Sequence, residues 1–177
     1  MGLFDKMKNI IYILFFSLFL VSCTSSKYAS TRPVRENKIS NSDKASPKAK
    51  DILKFANKLK GSPYKYAGTT PKGFDCSGFV QYVYKNFNYS LPRTSDAQSN
   101  VGKNVKKNQL KPGDLVFFKG RNSNSSQVGH VGIVVESYKS GRFKFIHAST
   151  NRGVTESFSD ETYWNIRYLK GRRILSD

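Results

Sequence analysis

Cys76 stands in the run Gly73-Phe74-Asp75-Cys76-Ser77-Gly78-Phe79, where a glycine-containing loop gives way to a helical pattern. A helix N-terminus offers unpaired backbone N–H groups and about half a positive charge, both favouring thiolate over thiol, so the position suits a nucleophile better than a core cysteine. The chain has two histidines, His130 and His147. His130 lies in Gly129-His130-Val131-Gly132-Ile133, whose glycines leave room beside the ring and let a second backbone approach. A cysteine nucleophile needs an imidazole within hydrogen-bond reach and a further group to orient that imidazole. Cys76, His130 and His147 could be these three. Residue types alone leave two alternatives open. The histidines could be satisfied by local hydrogen bonds, or all three residues could bind zinc, although no close ligand pair such as H-x-x-x-H is present.

The elements that must position these residues change period along the chain. Ile52, Phe55, Ala56 and Leu59 recur at helical spacing until Gly61 and Pro63 end the pattern. Residues 62–75 read as loop. A second helical pattern runs from Cys76 through Phe79, Val80, Val83 and Tyr84 to about Phe87, and a short helix from Thr94 to about Asn100 is capped by Thr94 or Ser95. Strand patterns follow at Asp114 to Lys119, His130 to Glu136, Arg142 to Ala148 and Arg172 to Leu175. Helices first and strands after predict an α+β domain, with N-terminal helices packed on a central antiparallel β-sheet.

The 177 residues allow one ordinary domain with an attachment, and a 14% aromatic share can supply its core. Two cysteines cannot build a disulfide framework or a four-cysteine zinc site. The N-terminus supplies the attachment. Lys6 and Lys8 precede the 11-residue apolar run Ile10 to Leu20, too short for a permanent span, and residues 1–22 read as a signal peptide. Gly2 does not open a myristoylation motif, because Lys6 stands where Ser or Thr is required. Leu20-Val21-Ser22-Cys23 resembles a lipoprotein lipobox, which implies a diacylglyceryl group on Cys23 and a membrane anchor. Residues 23–47, rich in Ser, Lys, Asn and Arg, read as the lipidated cysteine and a flexible basic tether, with the domain over 48–177. The formal charge is +18, and removing residues 1–22 takes away two Lys and one Asp to leave +17. An exported chain so basic is expected to meet anionic wall polymer or membrane, and no nucleic acid.

Four segments, Gly73 to Phe79 (GFDCSGF), Leu110 to Phe118 (LKPGDLVFF), Gly129 to Val134 (GHVGIV) and Phe145 to Ser149 (FIHAS), resemble the successive blocks of NlpC-type papain-like cysteine peptidases. Leu91-Pro92-Arg93 and Tyr163-Trp164 extend the resemblance toward the family's small lipoprotein peptidoglycan endopeptidases. The resemblance implies that Cys76 is the nucleophile, His130 the general base and His147 the orienting group. It implies that Tyr64 stabilises an oxyanion and that Asp75 and Ser77 bind a substrate amine. Considered without it, Tyr64 could be a core aromatic, readily confused with Tyr66, and Asp75 a helix N-cap. Hydrolysis would run through a thioester at the γ-D-glutamyl to diamino acid bond, or at the D-centre to diamino acid bond between stems. No cofactor and no metal are implied. The expected partner is peptidoglycan stem peptide, acted on by a monomer anchored in the bacterial envelope at the outer membrane, facing the periplasm. An amidase or acyltransferase on the same three residues, or a non-catalytic wall-binding lipoprotein, are the alternatives.

Overall fold

The computed structural model describes residues 45–176, so the signal segment, Cys23 and the tether up to residue 44 lie outside the described residues. Helix α1 spans Pro47–Lys58. Ser46 is its N-cap, accepting from the Ala49 amide at 3.2 Å, and Pro47 supplies a pre-set first turn that needs no N–H. Ser46 and Pro47, read from composition as the end of the tether, therefore belong to the helix. Ala49, Ile52, Leu53 and Ala56 form its buried stripe.

Helix α2, Cys76–Lys85, buries Phe79, Val80, Val83 and Tyr84 against α1 and the sheet. It stops short of the expected Phe87, because Asn88 turns left-handed at φ 65° and Phe87 packs edge-on against Phe55 of α1. The stretch before it, expected as plain loop, holds a two-stranded hairpin of β1 (Thr69–Thr70) and β2 (Gly73–Phe74). Helix α3 is one turn, Ser95–Gln98, with Thr94 capping the Ala97 amide.

Six antiparallel strands form the sheet in the order β3-β8-β4-β5-β6-β7. They are β3 (Lys103–Val105), β4 (Leu115–Lys119), β5 (Val128–Ser137), β6 (Phe143–Ser149), β7 (Gly153–Phe158) and β8 (Tyr168–Arg173), with a one-turn helix α4 (Thr162–Asn165) before β8. Both faces of β4 are buried. Leu115 and Phe117 join the cluster beneath the helices, while Val116 and Phe118 join a second cluster with Phe143, Phe145 and Trp164. Alternate side chains of a strand point to opposite faces, so a doubly covered strand reads as one apolar run.

The last strand lies earlier than the expected Arg172 to Leu175. Pairing of Arg172 with Leu115 and of Gly171 with Val116 places β8 beside β4, and Leu175 enters the core after the strand has ended. Strands β3 and β7 carried no apolar signature, since they pair at the two sheet edges with mostly polar or basic side chains.

Ala67 occupies the left-handed region at φ 57°, in the turn that leads to β1. An L side chain there costs roughly 1–2 kcal/mol that glycine avoids, partly offset by glycine's greater unfolded-state entropy. Ala67→Gly is expected to raise stability by up to about 1 kcal/mol in urea titration without loss of activity.

Candidate active site

The nucleophile candidate is set by the local structure of the loop-to-helix junction. Asp75 is the N-cap of α2, its carboxylate accepting from the Gly78 amide at 2.6 Å, which leaves Cys76 as the first helical residue. Amides of Val131, Ser77 and Cys76 itself approach the sulfur. Val131 follows His130 on β5, so the same contact brings the helix N-terminus and the histidine strand together. Cys76, His130 and Tyr64 line one open cleft of about 770 Å³.

His130 and His147 reach each other across adjacent strands, with His130 Nε2 and His147 Nδ1 3.0 Å apart. Gly132 makes this approach possible. A Cβ at that position would lie 2.6 Å from the Phe145 ring and 3.3 Å from the His147 Cβ, so β6 side chains settle where a larger residue would collide. Since Nε2 of His130 is engaged, Nδ1 is the nitrogen left for proton exchange with Cys76. On its far side His147 Nε2 lies 3.2 Å from Ser157 Oγ, which accepts from Arg152 Nη2 at 3.1 Å. Trp164 covers both imidazoles, with ring centroids 5.0 Å from His130 and 4.9 Å from His147, and shields their contact from water.

Burial decides the protonation states. It pushes the His130 imidazolium down to about 4 and holds His147 well below the ordinary histidine value. The thiol of Cys76 is pushed up, first by burial and then by the Asp75 carboxylate, while the three amides pull it the other way. The expectation that the helix N-terminus would favour thiolate is therefore corrected. The amides act in the expected direction but are outweighed, and the resting pair is a neutral thiol beside a neutral imidazole.

Tyr64 is held beside the nucleophile by backbone pairing: the Lys65 amide donates to Phe74 O at 3.0 Å, and the Phe74 amide to Pro63 O at 3.0 Å. Its hydroxyl is pushed up, by burial and then by Cys76, and stays a donor at neutral pH. Tyr66 also lines the cleft but is 87% exposed, which separates the two tyrosines that spacing could not.

Asp75 and Ser77, expected to bind a substrate amine, are tied to each other and to Arg93. Arg93 donates to both carboxylate oxygens of Asp75 and, at 3.0 Å, to Ser77 Oγ, while Ser77 donates to Asp75 at 3.2 Å. With the Gly78 amide, four hydrogen bonds reach the carboxylate, three on Oδ1 and one on Oδ2. A guanidinium thus faces both residues expected to meet a substrate amine. Gln98, fully buried, ties the same corner by donating to Ser77 O and Pro92 O. Among the described residues no group of three or more His, Cys, Asp or Glu could hold a metal ion.

Nothing local in the sequence marks Trp164, Ser157, Arg152, Gln98 or Arg93 as parts of the site. Leu91-Pro92-Arg93 and Tyr163-Trp164 were visible only as parts of a resemblance, and nothing in the sequence places Ser157 behind His147.

The model of the NlpC/P60 family matches residues 61–173. A probable endopeptidase NlpC homolog of Haemophilus influenzae is 39% identical over 127 residues, 71% of this chain and 63% of the relative. The murein DD-endopeptidase MepS/murein LD-carboxypeptidase of Escherichia coli K12 is 38% identical over 157 residues, covering 88% of this chain and 77% of the relative. The crystal structure of an NlpC/P60 family protein from Bacillus cereus shares 32% identity at a TM-score of 0.66, over 75% of this chain and 42% of that one. The chain thus spans somewhat under two thirds of the first relative and under half of the solved chain.

Proposed function

The chain belongs to the NlpC/P60 family, and from that premise we propose that it is a cysteine endopeptidase that hydrolyses amide bonds of peptidoglycan peptides in the bacterial cell envelope. The observation that carries this reading is the opening of Cys76 and His130 onto one cleft, with His130 held by His147.

Attack by Cys76 Sγ on the amide carbonyl transfers the thiol proton to His130 Nδ1 as the C–S bond forms. The oxyanion accepts from Tyr64 Oη and a backbone N–H at the α2 start. His130 then gives its proton to the departing amine nitrogen as the C–N bond breaks, leaving a thioester. Water attacks the thioester, His130 takes the water proton and returns it to the sulfur, and the acid product leaves. Asp75, Ser77 and Arg93 hold the start of α2 in place.

The pairing of Asp75 with Arg93 supports one further point. A carboxylate already neutralised by a guanidinium has less charge to offer a substrate amine, so peptides still attached to glycan through their first residue are accepted. This suits cross-link cleavage between stems, and the Escherichia coli relative is named a murein DD-endopeptidase. Mass spectrometry of products from purified, defined muropeptides tests the reading: fragments cut at γ-D-glutamyl to diamino acid or D-centre bonds are expected, and glycan-only or amidase products would replace it with another function.

Cys23 is read as the lipid attachment, and Thr24 rather than Asp after it resembles the sorting pattern of outer-membrane lipoproteins. The basic charge then serves retention at the anionic wall. Binding of the Cys76→Ala protein to purified sacculi is expected to weaken severalfold between about 50 and 300 mM salt, because screening shortens the reach of exposed charges to about a nanometre or less. Salt-insensitive pelleting would remove electrostatics from this role.

A further inference from the structure

We propose that Arg152 is a positioning residue that, through Ser157, keeps the proton shared by the two imidazoles on His130. This rests on the reading of His130 as the acid and base. Two imidazoles have the same ordinary affinity for a proton, and here they meet at 3.0 Å. After Cys76 has protonated His130 at Nδ1, the Nε2 proton faces the bare Nδ1 of His147. If it crosses, the cation moves to His147 and leaves His130 neutral with its remaining proton on Nδ1. A neutral imidazole N–H is a far weaker acid than imidazolium and would not protonate the leaving amine. An amide in the place of His147 could never take that proton; a histidine can, and the site needs a means of refusing it.

The contacts behind His147 supply one. Arg152 has no acceptor, so the Ser157 oxygen must accept from it, which presents a fixed positive charge along the line from Arg152 through Ser157 to His147 Nε2. Ser157 and His147 are 2% and 0% exposed, so the line is dry from Ser157 inward, while Arg152 itself is exposed where it lines the cleft. A cation at that end opposes a second cation on His147 more strongly than on His130, which lies one ring further away. The charged and titratable groups acting on His147 are His130, from β5, and Arg152, from the turn between β6 and β7; Phe145 of β6 and Trp164 of α4 pack its faces and carry no charge. Burial, His130 and Arg152, in that order, all disfavour protonated His147.

Arg152 also lines the cleft, so contact with a substrate carboxylate is the competing role. Steady-state kinetics across pH on one purified cross-linked muropeptide separates the two. Arg152→Gln is expected to lower kcat by about 10–100-fold with KM within about twofold, the size of a partly lost acid–base contribution, and to move the acid limb of kcat upward. Arg152→Lys, which keeps the cation, is expected to recover most of kcat. In a His147→Asn background, where the third group cannot take a proton, adding Arg152→Gln is expected to cost less than about twofold, a non-additivity that reports coupling of the two side chains. Equal losses in both backgrounds, or a rise in KM with kcat intact, would overturn the proposal. Ser157→Ala, which cuts the link and leaves Arg152 in place, repeats the cycle if the arginine variant does not fold. Cys76-dependent hydrolysis persists in every outcome, so failure here leaves the peptidase reading standing.

Discussion

Replacing Cys76 by alanine is expected to lower release of stem-peptide fragments from purified peptidoglycan by at least about 10⁴-fold, the scale on which losing a covalent nucleophile is felt. The route through a thioester has no substitute for the sulfur. No other described residue on the cleft combines a nucleophilic atom with the amides that approach it from Cys76, Ser77 and Val131. Structural damage cannot account for such a loss. The Asp75 cap, the Arg93 ion pair and the Gln98 bonds that hold the start of α2 involve no atom of the Cys76 side chain. Thermal unfolding should therefore stay close to wild type while hydrolysis vanishes. Continued fragment release by the folded alanine variant would sink the cysteine mechanism and favour a wall-binding role.

His130→Ala is expected to abolish turnover, with a loss of at least about 10³-fold, whereas His147→Asn should keep activity within about 10–100-fold of wild type. The asymmetry follows from the geometry: His130 exchanges the reacting proton, and His147 only has to accept from His130 Nε2, which an amide oxygen can also do. Equal tolerance at the two positions would mean the roles are misassigned. The pH dependence adds a second readout. His130 must be unprotonated to take the thiol proton, and burial has moved its titration down to about 4. Activity should therefore be full at neutral pH and fall as pH drops through that value, well below the 6.5 of an unperturbed histidine. Stability has the matching sign. The unfolded chain takes up protons below about 6.5 that the folded histidines refuse, so folding free energy is intact above that pH and declines as pH falls toward 4.

The parts of the fold that were legible are those where one residue type answers to one physical demand. Ile52 and Ala56 mark a buried helix stripe, Leu115 to Phe118 a strand covered on both faces, and Asp75 the cap before Cys76. Strand β7 and the true position of β8 were not legible, because their places come from register against β6 and β4 rather than from their own hydrophobicity. The same holds for Arg93. In a chain with 30 basic residues, nothing local distinguishes the one guanidinium that locks Asp75 from the solvated ones.

The chain alone therefore determined which chemistry was available: a cysteine at a helix start, two histidines on strands, and the glycines that let them approach. Those are properties of residue type and short-range spacing. Only the tertiary structure decided the charge state in which that chemistry begins and which groups govern it. Desolvation, which comes from elements packed together, turns an expected thiolate into a neutral thiol beside a neutral imidazole against the pull of a neighbouring strand's amide, while the Trp164 cover and the Arg152–Ser157 contact join the histidines to residues on other elements.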